Sequence, residues 1–303
     1  MAKGLYIRTI TAGRYCKVAR YSRALPSDSK QARTAKQAAT NKAQRFLNIR
    51  NATENLLWIL LANFDTKDSC WVTCTFDEDH LPANRKHLRN ISSSFFDKLR
   101  AEWKRHDREL KYVYIPEGAA LAAAPDAQPI TDQAWEIAPW RDKRRWERLD
   151  DPAPNEKKEK VARFHMHVFI LLQKQDYETV RAFWPYGQVY INPIRTKNLE
   201  SFERLAAYAT KEARTGQRAK GERSYIPSLN IKKPSVTGRW CEDYEGIVMP
   251  PGAESLKSGS DRNDIYGSVM EYSFFRMKDV VNPPNPYKSK GRLNNPKPKR
   301  KSK

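Results

Sequence analysis

The chain has 303 residues, with 56 Lys and Arg against 35 Asp and Glu, for a formal charge of +21. That length can bury a core in one large or two modest domains, and 8 Trp, 14 Tyr and 11 Phe argue against a disordered polymer. Four scattered cysteines exclude a disulfide scaffold, the longest apolar run is far short of a membrane span, and the opening MAKGLYIRTI lacks a secretory core, so a cytoplasmic protein is expected.

Residues 4–23 read as a basic hairpin turning at Ala12-Gly13, and 27–63 as a helix with a Ser27-Asp28 start. Cys70-Trp71-Val72-Thr73-Cys74-Thr75-Phe76 is a β-branched and aromatic run, hence a strand, closed by Asp77 and Pro82. Leu88, Ile91, Phe95, Leu99 and Trp103 give helical spacing over 84–107. A strand over Leu110–Ile115 should stop at Pro116-Glu117-Gly118. The 118–160 stretch is too long for an ordinary connection and reads as an insertion. Residues 161–172 form the strongest strand; a short helix (177–184), a strand (188–194) and a helix (198–214) follow.

From 70 to 214 the order is β-α-β-β-α-β-α, whose first six elements are those of a split βαβ, ferredoxin-like (RRM-like) α+β fold. Its sheet is antiparallel, with helices on one face. Residues 1–65 then form a basic N-terminal hairpin and helix, 66–235 the central domain, 236–281 a small C-terminal element, and 282–303 a tail. Residues 1–50 carry 12 Lys/Arg against one acid, and residues 282–303 carry 8 against none, so nearly all net charge sits at the two ends. Such arms point to a polyanion, because neutralised phosphates release counterions. The plain alternative for the C-terminal charge is a solubilising tail or, in a eukaryote, a nuclear address at Lys297–Lys303, and nucleic-acid contact is the favoured reading. The Pro-rich tail should stay extended until bound.

Alternation along a strand places His165 and His167 on one face, with Phe164, Met166 and Val168 on the other. Five histidines in the chain would give such a pair by chance only about 0.08 times. Two surface histidines are the plain alternative. If the strand ending at Glu117 lies antiparallel beside them, its carboxylate completes a two-His, one-carboxylate metal set. Tyr208 and Lys211, three apart in the last helix, share a face, although that spacing is common and also fits an ordinary amphipathic helix. Cys70 and Cys74 read as small buried hydrophobes, and His80, His87 and His106 as surface groups.

Trp71-Val72-Thr73-Cys74-Thr75-Phe76, Tyr114-Ile115-Pro116-Glu117, Phe164-His165-Met166-His167 and Tyr208-Ala209-Thr210-Lys211 resemble, in order, the motifs of HUH endonucleases. The likeness is greatest to rolling-circle replication initiators of plasmids, integrative elements and phages. Thr11-Ala12-Gly13-Arg14, Leu61-Ala62-Asn63-Phe64 and the 224–234 stretch SYIPSLNIKKP also resemble this group. The resemblance implies Mg²⁺ or Mn²⁺ held by Glu117, His165 and His167, with Tyr208 as nucleophile and Lys211 beside it. It further implies a bacterial host, a DNA origin as partner, and a 5′-phosphotyrosyl link that leaves a free 3′-OH. DNA contacts are expected from Arg8, Arg14, Lys232, Lys233, Lys299, Arg300 and Lys301. The chain has no Gly-rich phosphate loop, so a separate helicase and a host polymerase would complete replication. The sequence departs from the group in Cys74, where Leu or Val is usual, and in the 118–160 insertion.

A relaxase or single-tyrosine transposase would share this chemistry. A non-catalytic RRM-like binding module accounts for the charge but not for the histidine pair. A non-haem iron oxygenase would use the same ligand set but not the basic ends.

Overall fold

The computed structural model describes residues 3–24, 42–118, 164–195, 198–211, 223–263 and 268–277. Most of the expected 118–160 insertion and the whole 282–303 tail, with Lys299, Arg300 and Lys301, lie outside them.

Among the described residues, two antiparallel five-stranded sheets and four α-helices make an α+β protein. Strands β1 (Lys3–Ala12) and β2 (Tyr15–Ala24) pair as the expected hairpin. Gly13 in its turn has φ +54°, and a Cβ there would sit 2.8 Å from the Leu61 carbonyl oxygen, so both conformation and space require glycine. A hairpin alone leaves two open ladder edges. Here both are filled from the far end of the chain.

Helix α1 (Lys42–Asn63) follows the hairpin, and strand β3 (Ser69–Thr75) and helix α2 (Arg85–Arg105) come next. Strands β4 (Tyr112–Glu117) and β5 (His165–Leu171), helix α3 (Tyr177–Ala182), strand β6 (Val189–Pro193) and helix α4 (Leu199–Ala209) continue the expected order. The short β7 (Ile226–Pro227) precedes β8 (Ser235–Cys241), β9 (Ala253–Asn263) and β10 (Ser268–Met277). One sheet has the order β6-β3-β5-β4-β7, the other β8-β1-β2-β10-β9. Residues 236–281, expected as an appended element, thus supply most of three strands to the sheet that the N-terminal hairpin begins.

The first sheet is buried on both sides. Cys70, Val72, Cys74, Met166 and Val168 face α2 and α3, where Phe95, Phe96, Leu99 and Trp184 close a core. Val113, Ile115 and Phe169 face the other way, against Leu57, Leu60, Leu61 and Phe64 of α1 with the turn beyond it, and Phe202 and Ala206 of α4. The helices of the six expected elements, α2 and α3, thus share one face, and α1 and α4 cover the other. The second face is too apolar to stay open, since each fully buried Leu or Phe is worth roughly 1.5–3 kcal/mol. Helix α1 also packs on the second sheet, where Trp58 stacks on Phe274 with centroids 5.8 Å apart.

Strand β4 runs two residues past its expected stop. Pro116 fits because β7 pairs only with Val113 and Tyr114, and the Pro116 carbonyl faces outward to Arg85 Nη1 at 3.2 Å. The missing N–H thus falls on an edge without a ladder partner.

Asp176, buried, accepts both terminal nitrogens of Arg108 at 2.7 Å and the Gln173 N–H at 2.8 Å. Burial alone would raise its carboxyl pKa, but Arg108 and the Gln173 amide hold it below the ordinary value. Such a carboxylate contributes stability above the ordinary aspartate value, and the contribution is lost as pH falls through the folded value. Asp176→Asn should cost about 2 kcal/mol at pH 7. That is less than a fully buried pair, because Arg108 is 32 % exposed. The difference in melting temperature from the parent should shrink below about pH 4.

Candidate metal centre

Antiparallel register builds the site from four strands. Glu117 lies opposite His165, and His165 opposite Thr75. One row further on, His167 lies opposite both Ile115 and Thr73, and Thr73 opposite Tyr190. Opposed residues in a ladder share a face, so the two imidazoles and the carboxylate must converge. His165 Nε2 is 3.1 Å and His167 Nε2 3.6 Å from Glu117 Oε2. One donor atom from each of the three lies within 4.8 Å of the others, so the group can hold a metal ion. Gly118, with φ +109°, turns the chain away directly after the carboxylate, and a Cβ there would lie 2.8 Å from Phe164 Cα.

The donor set fits a divalent cation on local grounds. Glu117 Oε1 and His167 Nε2 are buried and have no hydrogen-bond partner, a cost that a metal ion would remove. His167 Nδ1 is 2.9 Å from Thr73 Oγ1. Donation from Nδ1–H to that hydroxyl oxygen leaves the Nε2 lone pair toward Glu117, the tautomer a ligand needs. Burial pushes the His167 pKa below its ordinary value against the pull of Glu117, so the imidazole is neutral at pH 7. Burial opposes ionisation of Glu117, but the hydrogen bond with His165 and the charge of Lys211 hold its carboxyl well below the usual range. The centre therefore pairs a carboxylate with the neutral His167 imidazole, and Lys211 supplies the countercharge.

Helix α4 brings up the remaining residues. Its start is capped by Asn198, whose side-chain oxygen accepts from the Ser201 N–H at 2.8 Å. Its end is pinned where Thr210 Oγ1 meets Thr53 Oγ1 of α1 at 2.7 Å, both residues buried. Thr210 is the C-cap of α4, and Lys211 directly after it is again helical; residues 212–222, which include the end of the expected 198–214 helix, are outside those described. The ammonium reaches its place: Lys211 Nζ is 2.9 Å from Glu117 Oε2 and 3.6 Å from the centroid of the Tyr208 ring. Burial would lower the Lys211 pKa, but Tyr208 and the charge of Glu117 raise it overall, so it stays protonated. Trp71 stacks on His167 at 4.6 Å and meets the Tyr208 ring edge-on at 5.9 Å, while Tyr208 and His167 centroids are 5.6 Å apart.

Glu117, His165, His167, Tyr208 and Lys211 are thus brought together. The proposed DNA contacts are not part of this cluster. Arg8 is exposed on β1 in the second sheet. Arg14 is committed to Asp65 through two hydrogen bonds of 2.7 and 3.2 Å, which tie the hairpin turn to the end of α1. Lys232 and Lys233 are exposed, on a segment held by Asn63, whose side chain donates to the Lys232 carbonyl and accepts from its N–H. Cys70 and Cys74 are buried, and His80, His87 and His106 are exposed.

Sequence reasoning missed Thr73 and Trp71. Both lie opposite the Cys70-Val72-Cys74 face by simple alternation, but their partners follow only from the β3–β5 register. Thr73→Val keeps shape and removes the acceptor for Nδ1–H. It should weaken divalent-ion affinity about 10- to 100-fold, measured by calorimetric Mn²⁺ titration.

Among the described residues no helix is long and apolar enough to cross a membrane. The chain matches no known family model, no curated protein and no solved structure.

Proposed function

We propose that this protein is a metal-dependent endonuclease that nicks one strand of DNA by tyrosine attack, in the manner of a rolling-circle replication initiator. The observation that carries the reading is the placement of the Tyr208 ring, under the Lys211 ammonium at 3.6 Å, against a buried carboxylate and two histidines able to hold one cation. The strand order β6-β3-β5-β4 is also that expected of a split βαβ sheet.

In this reading Glu117, His165 and His167 hold Mg²⁺ or Mn²⁺. When bound, the ion supplies polarisation of a non-bridging oxygen on the scissile phosphate. The Tyr208 oxygen bonds to phosphorus and its proton passes to water; the P–O3′ bond breaks and the leaving oxygen takes up a proton. Lys211 stabilises the negative charge that develops on the phenol oxygen. The products are a 5′-phosphotyrosyl protein and a free 3′-OH. Because one phosphoester replaces another, a later hydroxyl can reseal the strand without a nucleotide cofactor. Replication, conjugative transfer and transposition share this step, and the ordered motif set favours replication, with a separate helicase and a host polymerase. Exposed Arg8, Lys232 and Lys233 and the basic tail are then available to flanking DNA.

A 3′-labelled random single-stranded pool tests the reading. With Mg²⁺ or Mn²⁺ the label should enter an SDS-resistant complex with the full chain, and sequencing should enrich one cleavage site. A 5′-labelled pool should release fragments that a polymerase can extend. Label transfer that is unchanged in EDTA, or no transfer with any divalent ion, contradicts the proposal.

A further inference from the structure

Beside the metal centre lies an open cleft of about 330 Å³, formed by Thr75, Phe76, Asp77, Phe164, His165, Gln188 and Tyr190. Strand β6 is the sheet edge, and Tyr190 stands there 52 % exposed, on the same face as Thr73 and His167. A large ring kept half in water on an edge strand costs hydrophobic stabilisation. Its orientation is nevertheless fixed, because its hydroxyl donates to Gln188 Oε1. Gln188 is in turn held to β3 through its backbone, accepting from the Thr75 N–H at 2.9 Å, and its side-chain NH₂ remains a donor. Gly187 makes this approach possible, since a Cβ there would lie 2.5 Å from the Thr75 carbonyl oxygen.

Resting on the nicking reading, we infer that this cleft receives one nucleobase of the single strand, next to the phosphate at the metal centre, and that Tyr190, Gln188 and Asp77 set the base preference there. The chemistry selects a base over a phosphate. Exposed Asp77 would repel a phosphate but accepts N–H from an exocyclic amine, as carboxylates do with cytosine N4. The Gln188 amide adds a donor, and the Tyr190 ring offers a stacking surface that any base can use. A strand whose phosphate lies at His165 has an adjacent base within the same cleft, because His165 lines both.

The test is fluorescence anisotropy with labelled oligothymidine, oligodeoxycytidine and an abasic deoxyribose-phosphate oligomer. The protein is the full chain carrying Tyr208→Phe, in EDTA. Adding Tyr190→Ala should weaken binding of both base-bearing oligomers at least about fivefold and leave the abasic oligomer unchanged, while Tyr190→Trp should restore binding. Asp77→Ala should reduce the preference for oligodeoxycytidine over oligothymidine. Equal weakening of all three probes by Tyr190→Ala, or no weakening of any, overturns the subsite. Neither metal nor nucleophile takes part in this titration. An intact covalent adduct together with base-blind binding would therefore overturn the subsite and leave the nicking reading standing.

Discussion

Tyr208→Phe should lose strand nicking and the SDS-resistant adduct together, by about 10³-fold or more, while still binding single-stranded DNA. The expectation follows from what the substitution keeps. The ring edge toward Trp71 and the contact with His167 need no hydroxyl, so packing of α4 on the sheet should persist. Only the attacking oxygen is removed, and the ring under the Lys211 ammonium stays. Denaturing gels of labelled substrate report the chemistry, and anisotropy in EDTA reports the binding. A Phe variant that still forms the adduct would assign the attack to another residue.

Glu117→Ala and His167→Ala should each remove the second requirement. Nicking should again fall by about 10³-fold or more, now with loss of Mn²⁺ binding. A ligand that binds only the folded state stabilises it by about 2.7 kcal/mol at a hundredfold excess over its dissociation constant. The parent protein should therefore melt at a higher temperature in Mn²⁺ than in EDTA, and each variant should show no such rise. The Glu117 variant also strips Lys211 of its countercharge, 2.9 Å away, so its melting temperature in EDTA should fall below that of the His167 variant. Strong Mn²⁺ stabilisation of either variant would place the ion elsewhere.

Much of this centre was legible because β-strands alternate with a strict period of two. His165 and His167 had to share a face, and Cys70, Val72 and Cys74 had to leave Trp71, Thr73 and Thr75 on the other. Which residues then oppose one another depends on register, which single-strand periodicity does not carry. That is why Glu117 could be proposed from chain order, whereas Thr73 emerged only from its pairing with His167. Lys211 was read as a helical neighbour of Tyr208. Thr210 caps α4 between them, Lys211 is again helical, and its ammonium lies over the Tyr208 ring and beside Glu117.

The second sheet was the least legible part. Its pairing joins β1 to β8 and β2 to β10 across more than two hundred residues, and no local pattern records such a contact. Strand β9, AESLKSGSDRN, has almost no apolar alternation, because it is an edge strand with a largely polar sequence. Arg14 shows what local reading leaves out: its position in a basic hairpin suggested DNA, and the structure adds a pairing with Asp65, distant in sequence and adjacent in space.

Mapping the covalent link tests the central claim most directly. The SDS-resistant complex formed with Mn²⁺ would be trimmed with nuclease, digested with protease and sequenced by mass spectrometry. The expected product is a peptide bearing a nucleotide phosphate on Tyr208, absent when EDTA replaces the ion. A modified residue other than Tyr208, or the same peptide formed equally well in EDTA, would contradict it.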